Sequence, residues 1–408
     1  MSHRTQVLFL GGVFARENEA EVIEQSKKGV EFSANNMQMK LIDGLKSVAD
    51  TTVLSAPFIG SFPNRSTWFH FRGFSSAQDL CKYVSFNNVW GFRNISRARA
   101  LKRNLSSFIR LNAERKMIVA FSAHAPFLVA AAYAKKKDPG IRVCFVVPDM
   151  PQYMNLEQNR SKIYDICKHF DIALIQKHIK IVDSSVVLTD AMASALMLKN
   201  RPYTVVEGVI ADIAEITNNK HEKRHDTVNI LYAGKLYYKF GVKNLVEAFV
   251  QIPDNNYRLI LCGSGDLDGY IKSMAALDSR IIYAGQVSPQ QVQIQISDAD
   301  VLVNPRRNDD IYTSFSFPSK NIEYLLSGKP LVAYMLDGMP VCYKDFIYEI
   351  RSDKDSVVAI KEAILMAAND EQSEIAKRYS KFYKYALEHL HTASIAKKMI
   401  EMSFPKGQ

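Results

Sequence analysis

No stretch of this sequence stays apolar for long. The longest nearly apolar run, Ala125 to Ala134, ends far short of the ~20 residues a helix needs to cross a bilayer. Cysteine is scarce and scattered: Cys81, Cys144, Cys167, Cys262 and Cys342 form no CxxC and lie near no histidine pair. That excludes a zinc site and a disulfide framework, and it fits a reducing compartment. Cys144 in VCFVVP and Cys262 in LILCG read as small core residues. Low-complexity tracts and internal repeats are also missing, which removes solenoids and arrays. The opening MSHRTQVLFLGG has an apolar run of only about five residues before Gly-Gly, too short for a signal peptide and suited to a buried first strand. The expected location is cytoplasmic.

Acidic residues are in short supply in the first half. Residues 1–213 hold 28 Lys+Arg against 18 Asp+Glu, which accounts for the whole net charge of +10. Such an excess suits an anionic partner: a membrane surface, a phosphorylated acceptor or nucleic acid. It concentrates between Arg93 and Lys116, where Arg93, Arg97, Arg99, Lys102, Arg103, Arg110, Arg115 and Lys116 face one acid, Glu114. Leu101, Leu105, Phe108 and Asn112 recur there at helical spacing, the pattern of a helix lying on anionic lipid. Arg97, Lys102, Arg103 and Arg110 are the expected membrane or acceptor patch. An ordinary surface helix with a solvated basic face would look the same. With no nucleic-acid-binding motif present, nucleic acid is not an expected partner.

What the chain does have is alternation. In 408 residues, enough for two or three domains, short β-branched runs take turns with helical patterns. TQVLFLGG, TTVLSAP, MIVAFSA, RVCFVVP, SVVLTD and YTVVEG are the expected strands of the first half. TVNILYAG, YRLILCG, RIIYAG, DVLVNP and PLVAY are those of the second. Near-continuous apolar strands separated by helices predict parallel sheets covered on both faces. The expected organisation is a first doubly wound domain over 1–213, a polar linker over 214–226, and a second such domain over 227–370. A long helix over 371–408 follows, packing back on the first domain. Ligands of such folds bind at the strand ends, here expected in a cleft between the domains.

Two segments carry chemistry. In LYAGKLYYKFGVKNLVEAF (231–249), Lys235 and Lys239 follow a strand end and precede a helix opened by Gly241. Two ammonium groups there suit a diphosphate, whose charge grows as it departs; solvated loop lysines would look alike. In ADVLVNPRRNDDIYTSFSFPSKNIEYLLSGKPLVAY (299–334), Pro318-Ser319 opens a helix whose free N–H groups form an anion site. Lys320 adds a cation. Glu323, one turn on, suits ribose hydroxyls better than phosphate; it could equally be a surface carboxylate on a plain helix. Asp266-x-Asp268 follows a Gly-Ser-Gly turn and reads as a helix start, and Asp309-Asp310 as a loop pair, so no metal is expected.

These segments resemble those of glycosyltransferase family 4, retaining enzymes of the GT-B fold. YAGKL with its downstream Lys and Gly, LILCGSGD, YAGQV and FPSKNIEYLLSGKPLVA occur in family order over about residues 228–335. VLFLGGVF, FSAHAPF, PDMPQYM, VVLTDAM and VVEGV match more loosely. Within the family the likeness is to bacterial enzymes of capsule, O-antigen or exopolysaccharide synthesis. The resemblance implies that Lys235 and Lys239 bind the donor diphosphate and Glu323 the ribose. Backbone groups from Phe317 through Ser319 and Lys320 would hold phosphate, and Gln286 and Val287 would meet the base. Gly11 and Gly12 would admit the donor phosphate, and His124 would lie by the transferred sugar. The family's first glutamate position holds Phe315, and the basic residue before the helix-opening glycine is displaced, with Phe240 there and Lys239 one earlier.

The implied activity is transfer of a sugar from a UDP- or GDP-linked donor to a glycan or lipid-linked glycan acceptor, retaining and without a protein-held metal or other cofactor. Asp149 in PDMP is the best carboxylate near that face, although capping a turn suits it as well. Two rivals share the donor site: a sugar-nucleotide epimerase, which would need paired carboxylates, and a non-catalytic nucleotide-sugar-binding subunit, which Phe315 favours.

Overall fold

A computed structural model of the chain describes residues 4–27, 30, 32–76, 81–150, 162–211, 227–308 and 311–405. The chain divides into two compact units. Unit 1 comprises Met1–Ala211 and His389–Gln408, and unit 2 comprises Asp212–Glu388. The expected linker over 214–226 lies outside the described residues.

Unit 1 is built on β1 (Gln6–Gly11), β2 (Asp50–Ser55), β3 (His70–Phe71), β4 (Ser75–Ser76), β5 (Cys81–Tyr83), β6 (Phe86–Asn87), β7 (Lys116–Phe121), β8 (Arg142–Val147), β9 (Ser184–Val187) and β10 (Tyr203–Val205). Eight of them form one sheet in the order β10-β9-β8-β7-β1-β2-β5-β4, and β3 pairs with β6 separately. All neighbours in the large sheet are parallel except β4 and β5. The expected strands appear where the apolar runs fall. Every residue of β7 is buried, as a central strand covered on both faces requires. The short strands between residues 70 and 87 carry no alternation long enough to be read from sequence. Their register comes instead from an aromatic cluster in which Phe71 stacks on Phe86 and Phe74 on Tyr83, with centroids 5.4 and 4.3 Å apart.

The helices of this unit are α1 (Glu19–Glu24), α2 (Phe32–Val48), α3 (Arg93–Arg103), α4 (Ser106–Ile109), α5 (Ala125–Lys137), α6 (Lys162–His178) and α7 (Asp190–Ala195). Unit 2 holds β11 (Val228–Ala233), β12 (Tyr257–Cys262), β13 (Ile281–Gly285), β14 (Val301–Asn304), β15 (Leu331–Ala333) and β16 (Tyr348–Glu349), all parallel, in the order β13-β12-β11-β14-β15-β16. Around it lie α8 (Val242–Val250), α9 (Asp268–Leu277), α10 (Pro289–Asp298), α11 (Ser319–Leu326), α12 (Ser356–Asn369) and α13 (Gln372–Tyr385).

The long closing helix is a correction. α13 ends in a π-turn over Ala386–Leu390, and a separate helix, α14 (Thr392–Ser403), follows. The apolar periodicity runs across the break, but its two halves serve different cores. Phe382 and Tyr385 pack on Phe346 in unit 2, with centroids 5.5 and 5.4 Å apart. Ile395, Ala396 and Met399 are buried in unit 1, where Ser403 Oγ lies 2.7 Å from Ser184 Oγ. The chain leaves unit 1 beside the point where it returns: Ile210 N–H donates to Leu390 O, and Thr392 N–H to Ile210 O. No helix among the described residues is long and apolar enough to cross a membrane.

Candidate functional site

In unit 2 the chain builds from β11 through β12 to β13 at one edge. It then returns to lay β14 against the other side of β11 and continues outward to β16. That reversal leaves the carboxyl ends of β11 and β14 adjacent, the position where open α/β sheets take their ligands. The segments leaving these two strands, Gly234–Gly241 and Pro305–Ser319, are the two that the sequence singles out.

Close backbone approach fixes both. Gly263, at φ +136°, lies so near Gly234 that a Cβ would fall 1.7 Å from its carbonyl oxygen. Gly241, at φ +76°, would set a Cβ 2.2 Å from Pro305 O. Only glycine satisfies both the dihedral and the space. Lys235 and Lys239 emerge exposed from the first loop, their Nζ atoms 6.0 and 5.8 Å from the Tyr237 ring centroid. Among the described residues neither forms an ion pair. Tyr232 Oη donates to Lys235 O at 2.9 Å, pinning the loop to its own strand.

α11 is fastened to both strand ends. Tyr324 Oη accepts from Ala233 N–H at 2.9 Å and donates to Ala233 O at 3.3 Å, while Asn321 Oδ1 accepts from Asn304 Nδ2 at 2.6 Å. Lys320 Nζ donates to Ala233 O, so this ammonium turns inward onto β11. Burial pushes Lys320 below the usual lysine range, opposed by the nearby Glu323 and Cys262. Pro318 stands at the N-cap with no side chain capping the helix, and Ser319 follows exposed. Phe317 is buried against Tyr343, centroids 5.2 Å apart, which anchors the loop. Glu323 Oε1 accepts from Gln293 Nε2 of α10 at 2.7 Å. Exposed Gln286 and half-buried Val287 lead from Gly285 into α10, whose Ser288–Gln291 capping box fixes that turn. Asp266 accepts from Tyr238 N–H at 2.9 Å, and Asp268 from Gly265 N–H at 2.8 Å, so both carboxylates tie loops together.

Unit 1 has its own reversal, between β1 and β7. The loop after β1 differs from expectation. Gly12 N–H donates to Gln38 Oε1 at 2.8 Å and Phe14 N–H to Asn35 Oδ1 at 3.0 Å, so side chains of α2 occupy these amides. A Cβ on Gly11 would strike Gln38 and Phe9, and one on Gly12 the Phe58 ring. These contacts give both glycines a packing role. After β7, Ser122 adopts φ +71°, a strained conformation for a side-chain-bearing residue. His124 follows, its ring 4.8 Å from that of Phe58. Burial, reinforced by Arg97 and Arg93, lowers His124 to about 3, so the imidazole is neutral.

The basic segment is a second correction. Arg97 is only 2% exposed; its Nη2 donates to Pro57 O and its guanidinium lies 4.6 Å from the Phe86 centroid. Lys116 is buried too, bonded to Ile109 O and Leu111 O and paired with Asp138. Leu101, Leu105 and Phe108 face the core and so do not form the expected stripe, while Phe92 and Ile95 of the same segment stay exposed. Packing thus takes Arg97 and the three apolar residues out of the expected patch. Lys102 is half-buried over Tyr133, while Arg103 and Arg110 remain exposed. Sequence reasoning missed Tyr324, Phe58 and Arg306. No local pattern marks them, because each acts across a strand-order reversal.

Residues 214–389 match the model of the family described as glycosyl transferases group 1. TuaH of Bacillus subtilis (strain 168), named for a glycosyltransferase of teichuronic acid biosynthesis, is 22% identical over 220 residues. The match takes in 52% of this chain and 55% of TuaH, so the chain spans about half the length of that curated relative. Among solved structures, the lipopolysaccharide outer core galactosyltransferase WaaB in its apo form superposes with a TM-score of 0.60 at 14% identity, covering 98% of this chain and 100% of that one. HepE of Anabaena, solved in complex with UDP, gives 0.59 at 13% identity, covering 97% and 99%. The chain therefore has the GT-B fold of two Rossmann-like domains, and its second unit matches the glycosyl transferases group 1 family over nearly its whole length.

Proposed function

We propose that this protein is a glycosyltransferase that moves a sugar from a nucleoside-diphosphate-sugar donor to a glycan or lipid-linked glycan acceptor in surface polysaccharide synthesis. One observation carries the reading. At the β11/β14 reversal, two exposed lysines without ion-pair partners among the described residues stand beside a helix start that no side chain caps. Fixed cations and unpaired N–H groups stabilise a departing diphosphate, and they do so most where the protein has already oriented them. The diphosphate charge is met by Lys235, Lys239 and the start of α11 rather than by a protein-held metal. Glu323, steadied through one oxygen by Gln293, keeps the other for the ribose hydroxyls. Gln286 and Val287 flank the base.

Unit 1 is the acceptor-binding unit, and His124 within it is a neutral imidazole. Retention of configuration follows if the acceptor hydroxyl attacks from the leaving-group face and gives its proton to the departing phosphate. UDP is the nucleotide to try first, since HepE was solved with it; GDP is the second.

Calorimetric titration tests the site. Lys235→Ala and Glu323→Ala should each weaken nucleoside diphosphate binding by about 10- to 100-fold, the value of one charge-assisted hydrogen bond. Unchanged isotherms for both variants would sink the assignment. Binding without sugar release to any acceptor would favour a non-catalytic nucleotide-sugar-binding subunit, the reading that Phe315 invites.

A further inference from the structure

The family resemblance leads one to expect a basic residue just before Gly241; Phe240 stands there with Lys239 one residue earlier, and the structure brings a further cation to the Phe240 ring from another strand. We propose that Arg306 is a third diphosphate-binding residue of unit 2, beside Lys235 and Lys239. The proposal rests on the nucleotide-site reading above.

The register shows the placement. β11 and β14 pair with Ile230 against Val301 and Leu231 against Leu302. Continued to the strand ends, that register sets Ala233 level with Asn304, two residues before Lys235 and Arg306 respectively. Neighbouring parallel strands run roughly 4.8 Å apart, so the loops that carry the two cations start side by side at the reversal. The contact of Gly241 with Pro305 O then fixes the start of α8 against the residue preceding Arg306. The Arg306 guanidinium accordingly lies 5.8 Å from the Phe240 ring centroid and 5.9 Å from that of Tyr312, with Lys239 Nζ 5.3 Å from the same Phe240 ring.

The bonding of Arg306 leaves it unfinished. It is half-buried, and among the described residues its one hydrogen bond is Nη2 to Ser316 Oγ at 3.1 Å, with no carboxylate paired to it. Aromatic faces orient a guanidinium plane without using its N–H groups, so the remaining in-plane donors keep the fork geometry that fits phosphate oxygens. Ser316, which takes the one bond, stands three residues before the first residue of α11. Arg306 is thus tied to the same loop that leads into the proposed phosphate-binding helix start. A surface arginine with a purely solvated role would have neither constraint.

The experiment is titration of UDP or GDP, whichever the wild type binds, into full-length wild type, Arg306→Gln, Arg306→Lys and Lys235→Ala over a range of sodium chloride concentrations. Arg306→Gln should weaken binding about 10-fold or more and lower the slope of log Kd against log salt, because one of the charges that salt screens is gone. Arg306→Lys should recover part of the affinity and the slope. Unchanged affinity in Arg306→Gln, or weaker binding with the wild-type slope, would overturn the proposal, the second outcome marking a merely structural arginine. If Lys235→Ala loses affinity while Arg306→Gln does not, the nucleotide site stands and Arg306 alone is wrong. If wild type binds neither nucleotide, the site reading fails and takes this proposal with it.

Discussion

His124 carries a pH signature that its position in unit 1 dictates. Its ring is enclosed by Phe58 and Phe127 and faces Arg97 and Arg93, so the folded form resists protonation down to about pH 3. The unfolded chain accepts that proton near pH 6.5. Because the unfolded state then binds more protons, stability is unaffected above about pH 7 and falls as pH drops from 6.5 toward 3. The loss should approach ~1.4 kcal/mol per pH unit. Urea melts of wild type and His124→Asn at pH 7 and pH 5 check this: the wild type should lose about 1–2 kcal/mol more than the variant. Equal losses would mean that the ring is protonated when folded. The histidine itself was visible in FSAHAPF, but its charge state was not. That depends on Arg97, whose spacing suggested a surface and whose burial is set by contacts with Pro57 and Phe86.

Among the elements, α11 does the most to shape the proposed donor site. Its Lys320 and Tyr324, one turn apart, both bond the Ala233 peptide groups, while Asn321 holds Asn304 on the neighbouring strand. Tyr324→Phe removes the acceptor from a buried N–H and should cost unit 2 about 1–3 kcal/mol, read as a lower thermal midpoint. Nucleotide affinity should fall with it, since the helix start loses its seat; a variant that melts lower yet binds normally would show that α11 is positioned by other contacts. The helix was legible from Pro318 at its start and Gly328 after its end, and the strands from apolar runs such as VNILYA and RLILC. Their partners were not. Nothing in the local pattern of Arg306 or Tyr324 points across to β11, because strand order is decided by long-range pairing. The amides around Gly12 follow the same rule, being taken by Asn35 and Gln38, which lie more than 20 residues away.

At the scale of the molecule, unit 1 is assembled from two separated stretches of chain. Ile395, Ala396 and Met399 of α14 are buried there, and α14 packs along α2 and behind β8 and β9. Truncation after Glu388 would strip these side chains, each worth roughly 1–3 kcal/mol when fully buried, from a unit with only a modest margin of stability. The shortened protein should lose the unit 1 melting transition or aggregate, while unit 2, which ends at Glu388, should keep its own transition and its nucleotide binding. Two intact transitions would show that α14 is dispensable. The periodicity after residue 371 reads as one helix because pattern alone does not reveal that its halves belong to different cores.

That arrangement has a consequence for biosynthesis. The ribosome makes most of unit 1 first, yet the helix that completes it is translated only after all of unit 2. The nascent first unit must therefore wait, with the groove along α2 unfilled, while some 180 further residues emerge. Unit 2, contiguous in sequence, thus has all of its residues before unit 1 does.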